Sequence, residues 1–171
     1  MKLTAHKRHL ATHELTHINF ALLITSDSRT PKTDLTGKAI IKLMKEHHCL
    51  HQEIIKNDLS LIRNKIKSLL GDKRIQMIIT SGGTGCGRKD VSIEAALPLA
   101  SRRLEGFGEL FRMLSYQEIG SSAIMSRAML GVAGNGQIIV ALPGSPNAVK
   151  LALTKLLLPE LAHLLWEIKR N

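Results

Sequence analysis

Three apolar runs constrain how this chain can fold: INFALLI at residues 18–24, IQMII at 75–79 and QIIVAL at 137–142. None alternates apolar with polar side chains, so each predicts a strand that must be covered on both faces, as in a mostly parallel sheet. Helical spacing fills the gaps. Ile40, Ile41 and Met44 mark one helix, and HQEII, ending at Ile55, adds a short strand. Asn57 or Asp58 then caps a helix with Leu59, Ile62, Ile66, Leu69 and Leu70 on one face, which Gly71 closes.

Ser92 reads as the cap of a short helix limited by Pro98. GFGELFRMLSYQEIG and SSAIMSRAML predict two helices with a turn at Gly120, and the last segment, from SPNAV onward, reads as helix interrupted at Pro159. The succession predicts an α/β domain with three layers, helix, mostly parallel sheet and helix, over residues 18–171. Residues 1–17 precede it as an extension in which His6, His9, His13 and His17 follow a 3-4-4 spacing. Such a row can share a helix face and bind a metal, but without a carboxylate pattern it more simply makes a polar or partner-facing surface.

Charge narrows the partners. Lys and Arg total 24 against 14 Asp and Glu, a formal net charge of +10 that suits an anion. Phe, Tyr and Trp make up only 3% of the chain and no Lys/Arg run exceeds two, so a stacking surface for single-stranded nucleic acid is not expected. Cys49 and Cys86 lie far apart with no third thiol, which predicts neither a zinc site nor a disulfide framework. The N-terminus lacks a signal-peptide core and no apolar stretch approaches a membrane span, so a cytoplasmic protein is expected.

In a parallel sheet, ligands bind outside the carboxyl ends of the strands. Three loops there draw attention. TSGGTGCGRKD, residues 80–90, leaves a strand through Gly82, Gly83, Gly85 and Gly87. Glycines let an anion approach backbone N–H groups without a Cβ in the way. The loop matches neither the Walker pattern, for want of a following Lys-Ser or Lys-Thr, nor the dinucleotide fingerprint, whose third glycine position is Arg88. A tight strand-to-helix turn would explain glycines alone. Arg88, Lys89 and Asp90 add cations for anionic oxygens and a carboxylate that can hold Mg²⁺, although Asp90 can equally pair with its neighbours.

PGSPNAV, residues 143–149, places Ser145 as a favoured N-cap and Pro146 at the first helical position, which aims a helix N-terminus at the strand ends. Pro143, Gly144, Ser145 and Asn147 are the candidate contacts here, though the same residues make a sound helix start. TSDSRT, residues 25–30, brings Ser26, Asp27, Ser28 and Arg29, able to bind phosphate, hydroxyl or metal but also ordinary in turns.

The segments TSDSRT, TGKAI, GGTGCGRKDVSIEA, GFGELFRMLSYQEIG, SRAMLGV, ALPGSPNAV and LLLPELAHLLWEI, in that order from about residue 18 to 166, resemble the MoaB/MogA family of molybdenum cofactor biosynthesis proteins. GFGELFR and PELAHLLWE are more similar to its MoaB branch. The resemblance implies a cytoplasmic α/β protein assembling as homotrimers or homohexamers and binding molybdopterin, a pterin dithiolene with a terminal phosphate. It further implies adenylylation of that phosphate with ATP and Mg²⁺, releasing pyrophosphate. By the same resemblance Asp90 is the functional, Mg²⁺-positioning aspartate. Gly82, Gly83, Thr84 and Gly85 contact nucleotide or pterin, Gly144, Ser145 and Asn147 take the molybdopterin phosphate, and Ser26, Asp27 and Ser28 form the first polar loop.

The chain departs from the family pattern at KND, residues 56–58, where a second functional acid is expected at the position of Asn57. An amide cannot replace a carboxylate as a charged metal ligand, and Asp58 stands next in line. The departure favours, as an alternative, a protein that holds molybdopterin or nucleotide without turnover. A second departure, His47 in place of a glycine, would carry strain if the helix ended there in a left-handed turn.

Overall fold

The computed structural model describes residues 17–170. His6, His9 and His13 of the expected histidine face lie outside the described residues. The strands are β1 (Asn19–Thr25), β2 (His48–Ile55), β3 (Met77–Ser81), β4 (Arg102–Arg103), β5 (Met129–Val132) and β6 (Ile138–Leu142). The helices are α1 (Leu35–Leu43), α2 (Leu59–Leu70), α3 (Ser92–Ala96), α4 (Glu105–Ile119), α5 (Pro146–Ala152) and α6 (Leu158–Lys169).

The strands form one sheet in the order β2-β1-β3-β6-β5-β4. The pairs β1–β2, β1–β3 and β3–β6 are parallel, whereas β5 runs antiparallel to both β6 and β4. Alternate residues of each apolar run face opposite layers. Phe20, Leu22, Ile24, Met77, Ile79, Ile138 and Val140 pack under α1, α4, α5 and α6. Ala21, Leu23, Ile78, Ile139 and Ala141 pack under α2 and α3. The three-layer, mostly parallel architecture expected from the unbroken apolar runs is thus present.

Local chemistry explains the helices. Asp34 caps α1, its carboxylate accepting the Gly37 N–H at 2.8 Å, and Asp58 caps α2 by accepting from Leu61 N–H at 2.8 Å. α2 buries Ile62, Ile66 and Leu69. At roughly 1.5–3 kcal/mol for each fully buried side chain, this packing outweighs any intrinsic preference of so short a helix.

Four expectations are corrected. SSAIMSRAML is not a helix: Gly120, at φ +61°, ends α4, a short 3₁₀ turn follows over Gly120–Met125, and Met129–Val132 joins β6 as strand β5. Its apolar residues satisfy the open edge of β6, a tertiary demand that local spacing does not reveal. Ser92 does not cap α3: the N-cap position is Val91, and the Ser92 hydroxyl is buried in a 3.0 Å hydrogen bond with Thr25 Oγ1. The last helix is not broken at Pro159; a wider π turn at Leu153–Leu157 precedes it, and Pro159 sits in the first turn of α6, where its missing N–H is tolerated. His47 is unstrained, because no described non-glycine residue has positive φ.

Candidate functional site

Strand order reverses between β1, whose successor β2 lies on one side, and β3 on the other. Such a switch point leaves a crevice at the carboxyl ends of the strands. Here it is a cavity of about 540 Å³ lined by Thr25, Ser26, Ser28 and Arg29, by Gly82 to Gly85 and Asp90, by Met125 and Ser126, and by residues 143–146. The three loops singled out in the sequence meet in it.

The glycine loop owes its path to two residues with positive φ, Gly82 at +104° and Gly83 at +60°. A Cβ on Gly82 would fall 2.3 Å from the Thr25 carbonyl oxygen, and one on Gly83 would fall 2.6 Å from Asn57 Oδ1 and 2.7 Å from Ser92 Oγ. Gly82 N–H donates to the Leu142 carbonyl at 3.0 Å, tying the loop to the end of β6. The next four N–H groups, of Gly83, Thr84, Gly85 and Cys86, have no acceptor among the described residues. Successive free N–H groups in a turn form an anion-binding concavity.

Asp90 closes this loop. Its Oδ2 accepts the Gly87 N–H at 2.9 Å, while Oδ1 has no hydrogen-bond donor among the described residues. Ser145 caps α5 by accepting from the Ala148 N–H at 3.1 Å. The loop before it is held by its own carbonyl: Gly144 O accepts from Arg29 Nη2 at 2.6 Å and from Thr36 Oγ1 at 2.7 Å. Ser26 Oγ accepts from the Arg29 N–H at 3.1 Å and so shapes the first loop.

Asp27 sits at the rim. It accepts from Asn57 N–H at 3.0 Å and pairs with Lys89 Nζ at 2.8 Å, joining three loops. The hydrogen bond from Lys89, followed by that from Asn57, holds its carboxyl below the ordinary value of 3.8. Asn57 stands against Gly83, and its Oδ1 is buried with no hydrogen-bond partner among the described residues. Asp58, in contrast, is outside the cavity lining and uses its carboxylate as the α2 cap. Asn147 is exposed beyond the cavity wall.

Of two arginines at the site, Arg29 was read in the first polar loop, whereas Arg127 was not singled out as a contact. Arg29 lines the cavity and bridges two loops, a role visible only once residues 29 and 144 meet. Arg127 lies behind the glycine loop, donating to Thr84 O at 2.8 Å from Nε and to Gly85 O at 2.8 Å from Nη2. Glu94 fixes it through a 2.6 Å ion pair, which lowers the Glu94 pKa and raises that of Arg127. Reading residues 121–130 as a helix concealed this arginine.

As to the metal, no three His, Cys, Asp or Glu side chains come together among the described residues. Mg²⁺ commonly takes one or two carboxylates with water and substrate phosphates rather than a protein-only cage. The open Oδ1 of Asp90 and the partnerless Asn57 oxygen are suitable hard donors.

The fold and cavity define an α/β protein with a glycine-lined cavity at its sheet switch point. Residues 21–163 match the family described as probable molybdopterin binding domain. Molybdenum cofactor biosynthesis protein B of Bacillus subtilis is 44% identical over 153 residues, covering 88% of this chain and 89% of that one. The Staphylococcus carnosus protein of the same name is 45% identical over 158 residues, covering 90% and 92%. A crystal structure of molybdenum cofactor biosynthesis protein B superimposes with a TM-score of 0.86 at 40% identity, covering 91% and 98%. The tungsten cofactor synthesizing protein MoaB from Pyrococcus furiosus gives 0.81 at 28% identity, covering 90% and 98%. The chain belongs to this molybdopterin-binding family, in its MoaB group.

Proposed function

We propose that this chain binds molybdopterin and ATP in the switch-point cavity and transfers AMP to the terminal phosphate of molybdopterin. The observation that carries the reading is the run of four acceptor-free N–H groups beside the open Asp90 oxygen. A new bond joins a terminal phosphate oxygen of molybdopterin to the α-phosphorus of ATP, the α–β anhydride bond breaks, and pyrophosphate leaves. Such transfer asks the protein for positioning and charge stabilisation rather than covalent chemistry.

Gly83, Thr84 and Gly85 hold phosphoryl oxygens through backbone N–H groups. Gly144 and Ser145 form the adjoining wall with Pro143, and Arg29, with Ser26 and Ser28, adds positive charge and hydroxyls from the first loop. Asp90 holds the metal, and Mg²⁺ supplies neutralisation of the triphosphate and leaving pyrophosphate. Self-association as a trimer or hexamer accompanies this reading. It is supported by an exposed apolar row on and after α4, Leu110, Met113, Tyr116, Ile119 and Ile124, the last 83% exposed. No helix among the described residues is long and apolar enough to cross a membrane.

Asn57 supports a second reading, a carrier that binds without turnover, because a neutral amide stands where the resemblance implies an acid. The test is formation of AMP-molybdopterin from molybdopterin, ATP and Mg²⁺ by the unmodified chain, Asp90→Asn and Asn57→Asp. Product from the unmodified chain that disappears in Asp90→Asn supports the enzyme. Binding without product, with activity gained in Asn57→Asp, supports the carrier.

A further inference from the structure

We infer that Arg127 is a positioning residue that sets the polarity of the glycine loop, turning its carbonyl groups away from the cavity and its N–H groups toward it. The inference rests on the phosphate-binding reading of that loop. Arg127 is absent from the cavity wall and instead borders a separate cleft behind the loop with Arg103, Arg112 and Met129. Its guanidinium meets Thr84 O and Gly85 O at 2.8 Å each and Asp90 O at 3.3 Å.

A trans peptide points its C=O and N–H in opposite directions, and no described peptide is cis. With the carbonyls of Thr84 and Gly85 drawn to Arg127, the N–H groups of Gly85 and Cys86 face away from it. Those two are among the N–H groups without an acceptor. A glycine-rich segment has little intrinsic preference for this orientation, and a flipped peptide would present a carbonyl oxygen to an anion. A guanidinium presents five donors in a rigid planar fork, which fixes the direction of several carbonyls at once. Glu94, accepting at 2.6 Å from Nη1 and at 3.3 Å from Nη2, holds the fork at its other edge.

The test compares Arg127→Lys, Arg127→Ala and Glu94→Gln with the unmodified chain. Binding of inorganic pyrophosphate and of MgATP is measured by calorimetry, and amide exchange is followed at Asp90 and Ser92, whose N–H groups bond to the loop carbonyls Gly87 O and Gly83 O. Arg127→Lys is expected to weaken pyrophosphate binding at least tenfold and to speed exchange at both amides, while thermal unfolding stays cooperative. Glu94→Gln should do the same to a smaller extent, about threefold. Free guanidinium ion should restore binding to Arg127→Ala, which simple loss of packing would not permit. Should Arg127→Ala fail to fold, the lysine and glutamine variants decide the matter. Unchanged affinity or unchanged exchange in Arg127→Lys overturns the role of Arg127, whereas no pyrophosphate or MgATP binding by the unmodified chain overturns the phosphate reading beneath it.

Discussion

Two neighbouring loops that line the cavity fix their backbones by different means. The proline loop uses ordinary backbone: Ser145 caps its own helix, Pro146 presets the first turn, and no residue from 143 to 147 has positive φ, while Arg29 and Thr36 tie down the Gly144 carbonyl. The glycine loop cannot. It needs positive φ at Gly82 and Gly83, leaves four N–H groups without acceptors among the described residues, and is held from behind by Arg127. Both loops are tied to residues far away in sequence, but only the glycine loop needs backbone conformations restricted to glycine.

The largest effect that tests this contrast is Gly82→Ala. Its Cβ would meet backbone at 2.3 Å with φ at +104°, so a loss of about 3 kcal/mol in urea unfolding is expected. A loss under 1 kcal/mol would mean the loop adapts as readily as its neighbour. Next, Asp90→Asn should reduce AMP-molybdopterin formation roughly a hundredfold while leaving the unfolding midpoint close to the parent, since an amide oxygen can still accept from Gly87 N–H. Ser145→Ala should cost about 1 kcal/mol, the ordinary value of a helix cap, and any larger loss would show that the cap holds more of the proline loop than the start of α5.

The smallest effect lies at the rim. Because pairing depresses the Asp27 pKa, its stabilisation is present above the ordinary value of 3.8 and disappears as pH falls through the lower folded value. Acid unfolding curves of the parent and Lys89→Gln should therefore differ slightly above pH 3.8 and converge in stronger acid. Curves that stay apart in strong acid would assign Lys89 some other partner.

Much of this contrast was legible in the chain itself. β1, β3 and β6 announced themselves because strands buried on both faces need unbroken apolar runs, and the loops after them inherited their placement from the parallel topology. Gly82 and Ser145 could be read because positive φ and helix capping restrict residue type. Arg127 could not, since the loop groups it holds are carbonyls, which every residue carries and no sequence pattern marks. β4 and β5 escaped for a related reason: strands of two and four residues are too short to show a period, and only the open side of β6 calls for them. Asp58 was read both as a cap and as a stand-in for the acid missing at Asn57, and the structure gives its carboxylate to Leu61 N–H.

The bond from Gly82 N–H to Leu142 O has a consequence for how the protein comes into being. The crevice draws its walls from segments more than a hundred residues apart, and β3 finds its second neighbour only when β6 arrives. A chain emerging from the ribosome therefore has no finished cradle until residue 142 is free to pair. Ligand cannot guide the early stages of folding; it can only brace the completed sheet, shifting its equilibrium by mass action once the last strand is in place.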